Sequence, residues 1–363
     1  MSSANQTQIE DAMKGYIDPH LDKDLVSTKA VKNIAIDDGK VTVDITLGYP
    51  AKGFQEKLQN ELKKRIEGVD GVDSATVNVD WDIQAHVVQK SLEAIKGVKN
   101  IIAVASGKGG VGKSTTSVNL ALALSAEGAN VGLLDADMYG PSQPRMLGIS
   151  GKPESEDGTT LEPMVSYHIQ SMSIGYLIDE DTPMIWRGPM VTQALEQLLK
   201  DTRWDNLDYL IIDLPPGTGD TQLTLAQKVP VSGVVIVTTP QDIALLDARK
   251  GLKMFEKVEV AVLGIVENMS IHICSECGHE EHIFGKDGGQ NMSEEFDVDF
   301  LGALPLDIRI REETDSGKPT VVAEPDSRIA QTYREIARRT AAKLSLQAKN
   351  YSARFPQIVI ENN

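Results

Sequence analysis

The chain has 363 residues, with 36 Lys and Arg against 53 Asp and Glu for a formal charge of −17. That length calls for two domains, and a negative balance without a basic cluster opposes non-specific binding to nucleic acid or to an anionic membrane. No run of 18 or more apolar residues is present, the opening MSSANQTQIEDAMKG lacks a basic and then apolar leader, and two cysteines exclude a disulfide-stapled secreted fold, so the expectation is a cytoplasmic protein with no nucleic-acid and no membrane partner.

Residues 1–85 read as a small α+β domain. Residues 9–16 have helical spacing; 31–36 and 40–47 are strand-like and meet at Asp37-Asp38-Gly39, a hairpin signal. An amphipathic helix over 54–66 and a third strand over 75–83 give the order α-β-β-α-β. Through Asp18-Pro19, Asp24-Leu25-Val26 and VTVDITL this unit resembles the MIP18-type (DUF59) domain associated with iron–sulfur assembly. Members of that family often carry a cysteine shortly after that strand, where this chain has Gly48-Tyr49-Pro50-Ala51, so the resemblance implies docking or regulation rather than metal binding by this domain. Residues 86–99 read as a linker or helix.

The stretch IIAVASGKGGVGKSTT, residues 101–116, organises the rest. An apolar strand runs into a glycine-rich loop and then into helical spacing. Gly107, Lys108, Gly109, Gly110, Val111, Gly112, Lys113, Ser114 and Thr115 satisfy the phosphate-loop pattern. Glycines let successive backbone N–H groups converge, and the helix N-terminus adds its positive end, so polyphosphate is the natural occupant. Lys113 is expected to reach the β and γ phosphates and the Ser114 hydroxyl to take a place on Mg²⁺.

Apolar runs at 129–135, 209–213, 234–239 and 260–266 alternate with helical stretches. They predict an α/β fold, a P-loop NTPase with a mostly parallel sheet covered by helices on both faces, preceded by the small α+β domain. Asp135 and Asp137 stand at the end of one strand, where ligands bind in open α/β sheets. Asp213 ends another, in the form of a Walker B strand feeding the turn Pro215-Pro216-Gly217, which makes Asp213 an indirect Mg²⁺ ligand and lets Gly217 offer its N–H to a γ-phosphate. Asn268 follows a further strand.

Cys274 and Cys277 lie three apart and can chelate one metal or one cluster edge. A four-cysteine [4Fe–4S] site then needs a second copy of the chain. The same residues also permit a Cys₂His₂ zinc site with His279 and His282, a redox dithiol, or an inert pair.

Lys108 makes the loop the deviant pattern KGGVGKS. With DADMYGPSQPRMLG, the Trp186-Arg187-Gly188-Pro189-Met190 stretch, DLPPGTGD and NMS followed by CSECGHEEHIFG, it resembles the Mrp/ApbC iron–sulfur carriers, of the dimeric ATPase class that includes nitrogenase iron protein, MinD and ParA, over nearly all of residues 100–325. The resemblance implies catalytic roles for Lys108, reaching the partner protomer's nucleotide, for Lys113, and for Asp137, positioning the attacking water. It implies Asp135 near the Mg²⁺ shell, Asn268 on the adenine edge, a closing segment at 304–307, and Cys274 and Cys277 bridging a labile cluster across a homodimer, without the histidines as ligands. The function so implied is ATP binding with slow hydrolysis and transfer of clusters to apo iron–sulfur proteins, with cluster assembly factors as further partners. The alternative is a ParA/MinD-like positioning ATPase with a structural zinc at the CxxC. An amphipathic helix over 326–346 closes the domain of residues 100–348, and the tail 349–363 does not resemble a basic membrane-targeting helix.

Overall fold

A computed structural model describes residues 4–86, 92–178, 188–274 and 276–348. Trp186 and Arg187, the middle of the 86–99 connection and the 349–363 tail lie outside the described residues.

The N-terminal unit begins with α1 (Gln6–Lys14), whose start is fixed by a reciprocal capping box between Asn5 and Gln8. A two-residue ladder, β1 (Ile17–Asp18) with β2 (Lys23–Asp24), precedes β3 (Val31–Asp37), β4 (Lys40–Leu47), α2 (Gln55–Glu67) and β5 (Ser74–Trp81). Asp38 and Gly39 both have positive φ, as a two-residue hairpin turn demands. β4 is central, antiparallel to β3 and parallel to β5. Its alternate residues Val41, Val43, Ile45 and Leu47 are buried, and α2 lays Leu58, Leu62 and Ile66, one stripe at four-residue spacing, into the same core.

The main unit runs β6 (Val98–Ala105), α3 (Lys113–Ala126), β7 (Val131–Asp135), α4 (Gln143–Met146), β8 (Met164–Ser166), β9 (Ile169–Ser173), α5 (Gly188–Asp201), β10 (Leu207–Asp213), α6 (Asp220–Lys228), β11 (Gly233–Thr238), α7 (Asp242–Lys257), β12 (Val262–Glu267), the short hairpin β13 (His272–Ile273) and β14 (Glu280–Glu281), α8 (Gly288–Phe296), β15 (Phe300–Ala303), α9 (Ile308–Asp315), α10 (Thr320–Ala323) and α11 (Arg328–Ser345). Eight strands form one sheet in the order β15-β12-β11-β6-β10-β7-β9-β8, parallel throughout except at the β8–β9 edge. Side chains of β6 alternate between two layers. Ile102 and Val104 pack with α3 and α11, while Ile101, Ala103 and Ala105 pack with α5 and α6. The strand starts at Val98, three residues before the expected position. Among the described residues no helix is long and apolar enough to cross a membrane.

The N-terminal unit packs directly against α3 and α11, and its core is continuous with theirs. The joint is polar at its centre. Glu127, fully buried where α3 ends, accepts the Gly53 N–H at 2.8 Å, Arg334 Nε at 2.6 Å and Arg338 Nη1 at 2.8 Å, and its carbonyl accepts the Lys52 N–H. Arg338 also donates to Glu335. His20 Nε2 lies 3.1 Å from both Glu335 and Arg338, and Tyr49 donates to Asp18 at 2.8 Å. Glu127 and its two arginines all belong to the main unit; the polar contacts that cross to the N-terminal unit are the Gly53 and Lys52 N–H bonds to Glu127 and those of His20 with Glu335 and Arg338.

Candidate functional site

β6 lies between β10 and β11, so the loop after it opens at the C-terminal edge of the sheet, where the chain on either side diverges. Gly110 and Gly112 take φ of +83° and +82°, the left-handed region that glycine occupies without strain. Gly107 is required for a different reason: a Cβ there would stand 2.2 Å from the Asp247 carbonyl carbon of α7. Lys108 is exposed on the rim of the loop, and Ser114 and Thr115 begin α3 half-buried.

Lys113 pairs with Asp213, and Asp135 and Asp137 lie near enough to feel its charge. The Lys113 Nζ, 6% exposed, sits 2.5 Å from Asp213 Oδ1 and 3.2 Å from Ser114 Oγ. Asp213 also accepts Ser117 Oγ at 2.8 Å and Gln143 Nε2 at 2.9 Å. Asp135 is opposite Asp213 in the β7–β10 register, fully buried, and accepts the N–H groups of Asp137, Ser142 and Gln143 and the Ser173 hydroxyl. Burial, and after it the neighbouring Asp213, push the Asp135 carboxyl up to about 7. Asp137 is also raised by burial, with Lys113 working against the shift. One buried cation among three acids leaves an excess of negative charge beside the Ser114 hydroxyl. That donor set of hard oxygens fits a magnesium ion and offers little to a soft metal.

Two expected donors are engaged within the protein. The Gly217 N–H, with φ of +104°, donates to the Ser106 carbonyl at 3.0 Å, so it must exchange that bond to meet a phosphate. Asn268 is buried against Gly112, and its Nδ2 donates to the Val111 carbonyl at 2.9 Å. The 304–307 segment pairs with 267–271 through backbone bonds from Leu304 to Glu267, from Ser270 to Leu304, and from Leu306 to Ile271.

The cysteines sit at the tip of the β13–β14 hairpin, closed by bonds from the Gly278 N–H to the Cys274 carbonyl and from the Cys274 N–H to the His279 carbonyl. Both thiols are free, with Cys277 exposed. Backbone N–H groups of Cys277 and then Glu276 hold the Cys274 thiol below its ordinary pKa, which favours the thiolate that binds metal. The histidines nearby anchor the hairpin: His282 Nδ1 donates to the Ser270 carbonyl at 2.9 Å and His272 Nδ1 to the Leu306 carbonyl at 3.1 Å. Among the described residues no three of His, Cys, Asp and Glu gather as a metal site, and the hairpin offers two cysteine sulfurs. Gln143 and Ser117, both in the carboxylate cluster, were not singled out from sequence. Gln143 lies in the quoted PSQP stretch, but nothing in its spacing announces a buried amide.

The comparisons with known proteins agree with this layout. A family model described as a NUBPL iron-transfer P-loop NTPase of the ParA type matches residues 97–341, and a model of an iron–sulfur cluster assembly protein matches residues 6–79. An iron–sulfur cluster carrier protein of Escherichia coli K12 is 48% identical over 351 residues, 95% of this chain and 94% of its own. The iron–sulfur cluster transfer protein NUBPL of Mus musculus is 52% identical over 252 residues, 69% of this chain and 79% of its own. Among solved structures, the nucleotide-binding protein of Archaeoglobus fulgidus in complex with ADP superposes with a TM-score of 0.56 at 37% identity, covering 64% of this chain and 90% of that one. With a nucleotide loop, paired carboxylates and a two-cysteine hairpin all following the C-terminal ends of sheet strands, the chain belongs to the NUBPL iron-transfer P-loop NTPases of the ParA type, and is an ATPase.

Proposed function

We propose that the chain is a homodimeric ATP-binding carrier that holds a [4Fe–4S] cluster between Cys274 and Cys277 of two protomers and delivers it to apo iron–sulfur proteins, with slow ATP hydrolysis. The observation that carries this reading is the hairpin itself, which presents two thiolates without a third ligand and is tied by His282 and His272 to the loops beside the nucleotide site. Exposed Ile243 and Leu246 on α7, with Ile273 and Ile283 around the cysteines, give apolar surface for a second copy. Cytoplasmic residence and delivery alongside cluster assembly factors follow from the same reading.

Within the site, the loop N–H groups and Lys113 hold the phosphates, and Asn268 turns its amide from Val111 to the adenine edge. Magnesium, when bound, neutralises phosphate charge and orients the γ-phosphate. Ser114, Asp213 and Asp135 are the residues that would hold it. Asp137, half-buried and with its pKa raised, orients the attacking water, and Lys108 crosses to the partner's phosphates to offset charge that develops in hydrolysis.

The test is anaerobic reconstitution with iron and sulfide, followed by visible absorption and by iron, sulfide and zinc per dimer, beside a Cys274→Ala/Cys277→Ala variant. Absorption at about 400 nm, the region of thiolate-ligated iron clusters, with four iron atoms per dimer that the variant lacks, supports the carrier. Colourless protein holding tight zinc would replace it with a positioning ATPase whose cysteines form a structural clip.

A further inference from the structure

Gln143 touches three parts of the nucleotide site at once. Its backbone N–H donates to Asp135 Oδ2 at 3.0 Å, and its side-chain Nε2 donates to the Ser114 carbonyl at 3.1 Å and to Asp213 Oδ2 at 2.9 Å. The residue is 1% exposed, and its Oε1 is buried without a hydrogen-bond partner.

The amide cannot be turned over to relieve that oxygen. Both neighbours of Nε2 are pure acceptors, so a flip would set oxygen against oxygen twice. Oε1 shares its carbon with Nε2 and therefore lies within about 2.3 Å of a nitrogen that bonds the loop and the β10 carboxylate together. Buried polar atoms in folded proteins are almost always partnered by protein, water or ligand. What this oxygen lacks is a donor, and the two groups on the other side of its amide, the Ser114 carbonyl and the Asp213 carboxylate, are both acceptors. A carboxylate at this position would add a fourth negative charge, whereas a neutral amide donates to one side and accepts from the other.

We propose that Gln143 is a positioning residue of the nucleotide–cation site: Nε2 fixes Ser114 and Asp213 relative to each other, and Oε1 accepts a hydrogen bond from a water on the divalent cation. The inference rests on the assignment of Ser114 and Asp213 to that cation. It concerns binding, so it is read without turnover.

The experiment measures ADP affinity by calorimetry in Mg²⁺ and in EDTA, for the unaltered chain and for Gln143→Met, which keeps the volume and removes both polar atoms. In the unaltered chain Mg²⁺ tightens ADP binding. In Gln143→Met that tightening falls about tenfold, the effect of one hydrogen bond to a charged group, over and above any loss of affinity in EDTA that follows from releasing the Ser114 carbonyl. Undiminished tightening in the variant overturns the role of Gln143, and so does an equal loss with and without metal, which would mark a general collapse of the loop. Absence of any Mg²⁺ effect in the unaltered chain would instead remove the cation assignment on which the inference stands. A measurement without a variant guards against misfolding: the Gln143 side-chain amide resonances of the ADP complex should shift when Mg²⁺ is added, and resonances that stay in place overturn the proposal.

Discussion

Lys113 Nζ lies 2.5 Å from Asp213 Oδ1, and both groups are buried. Phosphate binding at Lys113 must therefore compete with a carboxylate already in place. Replacing Lys113 by Met leaves Asp213 and Asp135 without their cation. The expected cost is about 3 kcal/mol in urea unfolding, the scale for a buried charge stripped of its partner, together with at least a ~100-fold loss of hydrolysis. Unfolding at the original urea concentration would show that the Lys113–Asp213 pair adds nothing to stability.

Glu127 gathers two arginines and a backbone N–H at the joint between the N-terminal unit and the P-loop helix. In Glu127→Gln the charge goes and the shape stays. Stability should fall by about 2–4 kcal/mol, and amide hydrogen exchange at Lys52 and Gly53 should accelerate. Unchanged exchange at those two amides would mean that the apolar contacts alone hold the joint.

The same joint should respond to pH. Burial opposes the charged form of His20, but Asp18 and Glu335 outweigh it and raise the histidine above its usual value. Burial likewise opposes charge on Glu335 and Asp18, yet His20 with Arg338, and His20 with Tyr49, bring each below its usual value. The stabilisation from His20 is thus complete below an unfolded-state pKa of about 6.5 and is lost as pH rises through the raised folded value. That from the two acids is present above about 4.5 and is lost as pH falls toward their lowered values. Unfolding free energy should peak between these limits and decline on the alkaline side, and His20→Gln should flatten that decline. An identical alkaline slope in the variant would place the titrating group elsewhere.

His282 ties the cysteine hairpin to Ser270, two residues past Asn268, whose own amide reaches the phosphate loop. In His282→Ala the hairpin loses that tether. Exchange at the Cys274 and Gly278 amides should rise, and the difference in cluster release with and without ATP should shrink while reconstituted iron content is kept. A full nucleotide effect in this variant would route the coupling through the protomer interface alone.

The strand, loop and helix over 101–116 and the central apolar strands were legible because each carries its own periodicity. β8 and β15 were not: Met164–Ser166 is three half-exposed residues at a sheet edge, and Phe300–Ala303 is four residues containing a glycine, too short to show a pattern. Gln143 and Glu127 escaped for another reason. Their roles exist only through partners far along the chain, Asp213 for one and Arg334 and Arg338 for the other, and a helix-surface glutamate reads the same in sequence whether it meets water or two guanidinium groups. Lys113, Ser114, Asp135 and Asp213 do come together, since the loop and the two strand ends are adjacent in any sheet of this order. Gly217 and Asn268 showed the limit of motif reading, which names a donor but not the acceptor it holds meanwhile.

α3 is gripped at both ends, by the phosphate loop at Lys113 and by the N-terminal unit at Glu127. A 14-residue helix is a rod of about 21 Å, and a hydrogen-bonded rod transmits a push with almost no slack. A tilt of that rod at its loading end would appear, reversed about whatever pivot the sheet provides, as displacement of the 51–53 turn on the far side of the molecule. Severing the first 85 residues would thus do more than shorten the chain: it would open to water the Glu127 carboxylate and the Arg334 and Arg338 guanidinium groups of α11 that hold it.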